Sequence, residues 1–296
     1  MSIINLKYLI DSFIKEKIYD FVEPFKLSTL RKKHDSKYKS LTNDLVTIYT
    51  PTYNRSELLI NRAIPSALEQ TYKNFEYIIV GDCCTDNTEE EVRKNFTDKR
   101  IKFINLKKRK KNYPNILKNN WLAGAVLPSN HAFKISKGDW IARLDDDEVW
   151  EKDHLKNLLL HAKENNYEFV SGNVENIING QKIETRGNRV FSNYFKTLNL
   201  NIDEDKSNPY IGGISTWLIR SYIMKNFKFN ESCWKKKYNS DHGIEFAVRL
   251  IKAGSRIGHL DKIVTFQHPR PGEESVGWEA YSSDEENKSS HYKIIK

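Results

Sequence analysis

Cysteine is scarce in this chain, and its pattern excludes the classes of small protein that depend on it. Three cysteines occur among 296 residues, at positions 83, 84 and 233, and no Cys-x-x-Cys pair is present. A zinc ribbon is therefore excluded, and a disulfide framework is not expected. Cys83 and Cys84 are adjacent, so a bridge between them would be strained. The pattern predicts a protein of the reducing cytoplasm.

Long apolar runs are missing as well. No stretch of about 18 apolar residues occurs, so no membrane-spanning helix is predicted. The first segment also lacks the continuous apolar core of a signal peptide, because Lys7, Asp11, Lys15 and Glu16 interrupt it. We expect a cytoplasmic protein, with peripheral contact at the inner face of a membrane as the alternative.

The N-terminal segment has the spacing of an amphipathic helix. Through residue 28 its apolar residues recur three or four apart: Ile3, Leu6, Ile10, Phe13, Ile14, Ile18, Phe21, Val22 and Phe25. Pro24 is expected to disturb the last turn, and a basic stretch from Arg31 to Lys39 follows. We expect residues 1–43 to form this helix and a basic linker. The favoured interpretation docks the helix on the next domain, and the alternative places residues 1–40 on an anionic membrane.

Composition and charge leave room for a large core and an anionic partner. Hydrophobic residues make up 39% of the chain and aromatic residues 12%, so global disorder is not expected. The net charge of +9 suits nucleic acid, an acidic membrane or a phosphorylated substrate, and it does not choose among them.

Strands and helices alternate after residue 44, and this order is typical of an α/β protein. Strands are predicted at 45–49, 77–80, 101–106 and 140–144, and helices at 57–70, 88–96 and 153–164. We expect a Rossmann-like, mostly parallel sheet flanked by helices, forming one domain over 44–280, with a polar tail over 281–296.

Polar segments follow three of the predicted strands: 50–55, 81–88 and 145–148. Because the carboxyl ends of parallel strands meet at one edge, these segments are expected to surround a ligand site. Asp145, Asp146 and Asp147 repel one another unless a hard cation neutralises them, so the cluster predicts Mg²⁺ or Mn²⁺ bound with substrate phosphates. Alternation along an extended segment places Asp145 and Asp147 on one side.

These motifs, in this order, resemble the family 2 glycosyltransferases with the A-type (GT-A) fold. The resemblance covers residues 45 to 160 and rests on Pro-Thr-Tyr-Asn-Arg, Asp-x-x-Thr-Asp-Asn-Thr and Lys-Gly-Asp-Trp-Ile-Ala-Arg-Leu-Asp-Asp-Asp-Glu. It implies a UDP-, GDP- or dTDP-sugar donor, Mn²⁺ or Mg²⁺, and inversion at the anomeric carbon. It also implies a glycan or lipid-linked acceptor in polysaccharide, lipopolysaccharide or glycoprotein glycan assembly.

The resemblance assigns roles to residues by position. Donor nucleotide contacts fall on Pro51, Thr52, Tyr53, Arg55, Asp82, Asn130, Asp145 and Asp146. Asp147 becomes the metal ligand, with Asp145 beside it and His268 as a further ligand or a structural histidine. The family often has an acid where this chain has Gly81, Gly-Ser where it has Cys83-Cys84, and Arg where it has Ser129. These departures lie in the donor pocket and bear on the identity of the nucleotide.

The second half must supply a base that takes the proton of the acceptor hydroxyl. The segment from Asn239 to Leu250 resembles the stretch at the start of a helix in which the family has its base. Asp241 is the expected base, and Glu245 is the alternative. Asp241 could instead act only as a helix cap. Gly213 and Trp217 are expected to contact the acceptor, although Trp217 also suits a core position.

Two other classes remain open at this point. A sugar nucleotidyltransferase shares the parallel sheet and acidic ligands, but the segment after the first strand lacks the expected glycine-rich loop. A non-enzymatic, basic nucleic-acid-binding protein would fit the charge, but no zinc finger, RRM motif or basic zipper accompanies it, so no nucleic-acid partner is expected.

Overall fold

A computed structural model describes residues 3–108, 124–185, 210–231, 242–273 and 276, with the side chains of the first helix described from Ile14 onwards. The strands are β1 (Val46–Thr52), β2 (Phe75–Gly81), β3 (Ile101–Asn105), β4 (Trp140–Arg143), β5 (Glu148–Trp150), β6 (Phe169–Ile178), β7 (Gln181–Thr185), β8 (Leu218–Arg220) and β9 (Ile257–Gln267). The α-helices are α1 (Ile3–Ser40), α2 (Ser56–Leu58), α3 (Ile64–Leu68), α4 (Thr88–Asn95), α5 (Val126–Ile135), α6 (His154–Glu164), α7 (Ser221–Phe227) and α8 (His242–Lys252).

One mixed sheet joins these strands in the order β3-β2-β1-β4-β8-β6-β9-β5, with β7 paired to β6. The strands β3, β2, β1 and β4 are mutually parallel, as the alternation of strands and helices predicts. Beyond β4 the sheet is mixed, because β8 runs antiparallel to both β4 and β6. The mostly parallel arrangement therefore holds for the half that the predicted strands define.

The core lies on both faces of the parallel strands. Every residue of β1 is buried, as expected for a strand that helices cover on both sides. Trp140 at the start of β4 is fully buried, and its indole Nε1 donates to the Asp44 carboxylate at 2.8 Å. That bond ties the segment before β1 to the neighbouring strand, so the two strands enter the sheet in register.

The first helix runs farther than its apolar spacing predicts. It continues through Ser40, so the expectation of a basic linker after residue 28 is wrong. The reason is tertiary: Arg31 donates two hydrogen bonds of 2.7 Å to Glu168, and Asp35 accepts from Arg220 at 2.9 Å. These contacts give Arg31 and Asp35 buried partners, and one face of the helix docks on the sheet domain, as the favoured interpretation expects.

Pro24 lies inside this helix. A proline removes one backbone hydrogen bond from a helix interior, which costs about 3 kcal/mol when nothing offsets it. Here the flanking turns are held by the Glu23–Arg249 ion pair and by the fully buried Leu27. Within the described residues, no helix combines the length and the apolar character that crossing a bilayer requires.

Candidate active site

The three polar segments that follow β1, β2 and β4 meet at one edge of the sheet, as predicted. The hydroxyl of Thr52 at the end of β1 donates to Asp146 at 2.8 Å. The backbone N–H of Asp82 after β2 donates to the carbonyl of Thr52, also at 2.8 Å. Asn54 joins the first two loops, because its amide exchanges hydrogen bonds of 3.0 and 2.9 Å with Thr85.

The aspartate cluster alternates between the solvent side and the interior. The side chains of Asp145 and Asp147 are 21% and 22% exposed, and that of Asp146 is 5% exposed. The expected extended segment is wrong, because the backbone turns at Asp146 and Asp147 and the Glu148 N–H donates to the carbonyl of Asp145 at 3.3 Å. Asp145 and Asp147 are nevertheless the more exposed pair, and in this sense they share the outward side. These are the two carboxylates of the cluster that a ligand can reach.

Asp146 is held by two residues that were predicted to bind the donor. Its Oδ2 accepts from Thr52 and its Oδ1 accepts from Arg55, each at 2.8 Å. Burial raises the pKa of Asp146, and the nearby Arg55 partly offsets that effect. Arg55 also approaches Asp147 at 3.3 Å. In this structure Thr52 and Arg55 therefore orient Asp146, and the donor contacts predicted for these three residues stay predictions.

Asp145 is oriented by Arg143 at the end of β4 and by Ser215 in a 3₁₀ turn, Ile214–Thr216. Buried Arg143 donates from Nε to Asp145 Oδ1 at 2.6 Å, and the backbone N–H of Asp145 donates to the hydroxyl of Ser215 at 3.0 Å. The Nη1 of Arg143 lies 2.6 Å from Nε2 of His242, the first residue of α8. Because Arg donates, His242 accepts through Nε2 and carries its proton on Nδ1. This chain of contacts brings the start of α8 to the aspartate cluster.

Glu148 adds a buried acid beneath the cluster. Burial, followed by repulsion from Asp145 and Asp147, raises its pKa well above the ordinary glutamate value. Its Oε1 accepts from Gln267 on β9 at 2.5 Å. A carboxyl in these surroundings favours the protonated form, which lowers the repulsion that the two outward aspartates experience.

Arg62 braces the same edge from a π-helical turn, Leu59–Ala63, between α2 and α3. Its guanidinium donates to the backbone carbonyl of Asp147 at 3.1 Å, to that of His268 at 3.0 Å and to that of Pro269 at 2.7 Å. A single wide turn of this kind interrupts α-helices frequently at functional sites. The bonds join the aspartate loop to the segment after β9.

The loop after β2 explains two departures from the family pattern. A Cβ at Gly81 would lie 2.8 Å from the Asn105 amide oxygen, which accepts the Cys84 backbone N–H, so this position has room only for glycine. Cys83 has φ +63°, a conformation that glycine adopts without steric cost. Asp82 beside it is buried, Pro51 is buried in β1 and Tyr53 is half-buried, and their predicted nucleotide contacts stay predictions.

Two predicted site residues have structural roles instead. Both ends of the Asn130 amide bond to the backbone of Phe229, at 2.9 Å each, so this side chain joins α5 to the segment after α7 and its assignment to the donor is corrected. Trp217 is 5% exposed and donates to the Gly212 carbonyl at 2.8 Å. It belongs to the core and has no face for a sugar. Gly213 is exposed, and its contact with the acceptor stays a prediction.

The structure describes one of the two candidate bases. Asp241 lies outside the described residues. Glu245 is 2% exposed and accepts from Arg249 at 3.4 Å and from Asn230 at 3.3 Å. Arg249 also binds Glu23 of α1. Glu245 therefore serves the packing of α8 on α1, and this correction removes it as the alternative base.

The donor set at the cluster fits a hard cation that is shared with a substrate. Asp145 and Asp147 offer carboxylate oxygens on one side, which Mg²⁺ and Mn²⁺ prefer. Within the described ranges, no three His, Cys, Asp or Glu side chains form a preformed metal cage, so His268 does not complete one with the aspartates. Burial and Arg62 lower the pKa of His268, which keeps its ring neutral.

Sequence reasoning missed three residues that orient the cluster: Arg143, Ser215 and Arg62. One signal was present, because Arg143 is a charged residue inside the otherwise apolar segment 140–144. A buried charge needs a partner, and the nearest acid in the sequence is Asp145. Ser215 and Arg62 lie 70 and 85 residues from the groups they contact, and nothing local indicates those pairs.

Known proteins resemble this chain in sequence over about half of its length. It is 37% identical over 139 residues to the Escherichia coli UDP-Glc:alpha-D-GlcNAc-diphosphoundecaprenol beta-1,3-glucosyltransferase WfgD, a match that covers 47% of this chain and 49% of that protein. It is 33% identical over 129 residues to the Staphylococcus aureus poly(ribitol-phosphate) beta-N-acetylglucosaminyltransferase TarP, covering 43% and 36%. The matches thus span about half or less of these relatives.

Solved structures share the fold. Residues 1–349 of Staphylococcus aureus TarS in complex with UDP-GlcNAc superpose with a TM-score of 0.55 at 21% identity, over 77% of this chain and 60% of that one. The Pyrobaculum calidifontis mannosyltransferase PcManGT, in complex with GDP-Man and Mn²⁺, has a TM-score of 0.51 at 17% identity, over 88% and 68%. These likenesses confirm the A-type glycosyltransferase fold.

The family model described as glycosyl transferase family 2 matches residues 47–227. This range contains β1 with its Pro-Thr-Tyr-Asn-Arg continuation, the loop after β2 and the aspartate cluster. The match decides against both the sugar nucleotidyltransferase and the nucleic-acid-binding interpretations. The chain belongs to glycosyl transferase family 2.

Proposed function

We propose that the chain transfers a sugar, with inversion, from a nucleotide-diphosphate donor to a hydroxyl of a glycan or lipid-linked acceptor. One observation carries the proposal: Asp145 and Asp147 share the outward side of the aspartate cluster at the edge where the parallel strands end. The four groups that hold the cluster (Thr52, Arg55, Arg143 and Arg62) come from separate elements. This pre-organisation suits a site that must bind a highly charged ligand.

The donor is proposed to be a UDP-, GDP- or dTDP-sugar. The name of WfgD gives a UDP-glucose donor, TarS was solved with UDP-GlcNAc, and PcManGT was solved with GDP-Man. Asp147, with Asp145, would hold a Mn²⁺ or Mg²⁺ ion against the donor diphosphate. The structure of PcManGT, which contains GDP-Man together with Mn²⁺, supports this proposal. When bound, such an ion neutralises the charge that develops on the departing diphosphate.

Asp241 is proposed as the base. It directly precedes His242, whose imidazole lies 2.6 Å from Arg143, and Arg143 in turn binds Asp145. The acceptor oxygen forms its bond to the anomeric carbon while the bond from that carbon to the diphosphate oxygen breaks. The hydroxyl proton passes to Asp241, and the electron pair of the broken bond leaves with the nucleoside diphosphate.

The biological setting is proposed to be glycan assembly in the cytoplasm: polysaccharide, lipopolysaccharide or glycoprotein. The names of WfgD and TarP describe transfer to a lipid-linked sugar and to poly(ribitol-phosphate). The scarcity of cysteine and the lack of a Cys-x-x-Cys pair suit a reducing compartment. Burial raises the pKa of the Cys84 thiol to about 11, so this thiol stays protonated.

A thermal-shift screen of UDP, GDP, dTDP and ADP, each with and without MnCl₂, tests the donor site. A ligand at about 100 times its Kd stabilises the native state by about 2.7 kcal/mol, and that raises Tm by about 5 °C or more. We expect one nucleotide to give a shift that requires the metal and disappears in Asp147→Asn. The exposed acid Glu89 on α4, which pairs with Arg93 at 2.8 Å, supplies the matched control Glu89→Gln, which should keep the shift. A shift that survives without metal and in Asp147→Asn would contradict the proposed site.

Transfer assays test the base. We expect Asp241→Asn to keep the nucleotide-dependent shift in Tm and to lose sugar transfer. Glu245→Gln should instead lower Tm, because Glu245 is buried against Arg249. Full transfer by Asp241→Asn would remove that residue from the chemistry.

A further inference from the structure

The outward face of α1 carries an apolar stripe that the catalytic domain does not cover. We call this set the outer stripe. Its members and their exposed fractions are Ile14 (50%), Ile18 (52%), Phe21 (72%), Val22 (46%) and Phe25 (68%). The spacings of four, three, one and three residues place all five on one side of the helix. Large apolar side chains gathered on one exposed face indicate a binding surface more strongly than scattered ones do.

The opposite face of the same helix is anchored, so the helix cannot turn the outer stripe inward. Arg249 of α8 packs 4.1 Å from the ring of Tyr19 and pairs with Glu23. Leu27 is fully buried, and Arg31 makes a bidentate pair with Glu168. These contacts fix the rotation of α1 about its axis and leave the outer stripe facing solvent.

Charge divides between the two faces in the same way. The acids Asp20, Glu23 and Asp35 pair with Lys252, Arg249 and Arg256 respectively, all on the catalytic domain. The remaining acid between residues 14 and 40, Glu16, is half-buried. The outward side thus presents apolar side chains with no exposed, unneutralised carboxylate among the residues whose side chains are described.

Lysines border this apolar surface. Lys17 is exposed and lies four residues before Phe21, so it flanks the outer stripe on one side. Lys26, on the other side, is half-buried, and its Nζ donates to the carbonyl of Asn226 at 2.5 Å. Lys32, seven residues after Phe25, continues the same side, and Lys33 stands next to it. Both are exposed and neither forms an ion pair within the described part of the chain. Apolar residues with a lysine rim and a basic extension are the pattern of an interfacial helix.

We propose that the outer stripe docks on an anionic phospholipid bilayer, with α1 lying in the plane of the interface. The apolar residues would enter the boundary of headgroups and acyl chains, and Lys17, Lys32 and Lys33 would face lipid phosphates. A second copy of the chain is the less favourable occupant, because it would bring lysines against lysines on a protein whose net charge is already +9. The contact would hold the catalytic domain at the membrane, where a lipid-linked acceptor resides, but it does not depend on that acceptor.

Vesicle flotation of the full chain tests the proposal. The probes are neutral vesicles of phosphatidylcholine and anionic vesicles in which about a third of the lipid is phosphatidylglycerol. We expect the wild-type chain to float with the anionic vesicles and to stay behind with the neutral ones. Phe21→Glu combined with Phe25→Glu should weaken partitioning about ten-fold or more. The matched control is Leu160→Glu on α6, an equally helical and 50% exposed apolar position, which should bind as the wild type does.

A charge variant separates the two parts of the surface. Lys32→Gln with Lys33→Gln leaves the outer stripe intact and should reduce anionic binding several-fold, with an effect that shrinks as salt rises. The Tm and the nucleotide-dependent shift in Tm should stay unchanged in every variant, since none of these residues contacts the aspartate cluster. A failure of membrane binding is therefore distinguishable from a failure of the proposed transfer function.

Three results would overturn the proposal. The first is a wild-type chain that floats with neither kind of vesicle or equally with both. The second is anionic binding that the double glutamate variant retains in full. The third is a dimer in light scattering that the double glutamate variant abolishes, with no vesicle binding by the wild type, which would assign the outer stripe to a second copy of the chain.

Discussion

The substitution Asp146→Asn tests the role of the buried aspartate of the cluster separately from the roles of the two outward aspartates. The wild-type carboxylate accepts from Thr52 and from Arg55, each at 2.8 Å, and its side chain is 5% exposed. An asparagine has one acceptor oxygen, so one of these two bonds is lost. A hydrogen bond to a charged group contributes about 1.5 to 3 kcal/mol. Relief of repulsion against Asp147 offsets part of this, and the Arg55–Asp147 contact at 3.3 Å remains. The net loss of unfolding free energy is expected to be about 2 kcal/mol.

Urea and thermal unfolding measure this effect. A loss of about 2 kcal/mol corresponds to a fall in Tm of about 6 °C for a chain of this size. Asp147→Asn is the informative partner, because its side chain is 22% exposed and its loss should change stability by no more than about 0.5 kcal/mol. Glu89→Gln on the surface of α4 controls for the substitution of a carboxylate by an amide.

The pair of variants also makes opposite predictions for ligand binding. Asp147→Asn should abolish the metal-dependent nucleotide shift with stability intact, and Asp146→Asn should lower stability and weaken that shift only in part. The reasoning fails if Asp146→Asn melts with the wild type, or if Asp147→Asn is the less stable of the two. Either result would mean that the alternation of buried and outward carboxylates does not divide their roles.

Three further outcomes follow from other parts of the structure. Burial alone would raise the pKa of Asp35, but Arg256 and Arg220 outweigh it and lower the pKa to about 2. This group therefore stabilises the fold above pH about 4 and loses its effect as the pH falls toward 2, so Asp35→Asn should cost about 2 kcal/mol at pH 7 and almost nothing near pH 2 in urea titrations. Cys83→Gly should raise the unfolding free energy by about 1 kcal/mol, because Cys83 has a left-handed φ of +63° that glycine adopts without steric strain. An unchanged Tm would show that no strain is present. Trp217→Phe should cost about 1 to 3 kcal/mol with the acceptor KM unchanged, and a raised KM would return this residue to the acceptor site.

The parallel half of the fold and the location of the site were readable from the sequence because both depend on local patterns. Short β-branched runs alternating with helical spacing determine parallel strands, and the carboxyl ends of parallel strands share one edge. The exposure of Asp145 and Asp147 agrees with the prediction, but the predicted reason was wrong, because a turn at Asp146 and Asp147 stands where extended backbone was expected. The combined strand-end motifs were specific enough to indicate the family that the comparison then confirmed.

Only the tertiary structure decided what each polar side chain contacts. Asp146 faces inward to Thr52 and Arg55, which lie more than 90 residues away in sequence, and no local pattern shows that pairing. The indole of Trp217 could stack on a sugar or pack in the hydrophobic core. Its hydrogen bond to the Gly212 carbonyl, inside the sheet domain, places it in the core. The same holds for α1. Its apolar spacing predicts a helix that ends early, whereas partners such as Glu168, 137 residues along the chain, extend it by holding Arg31. Periodicity measures which face of an element is apolar, but burial and ion pairing depend on where the chain brings distant residues together.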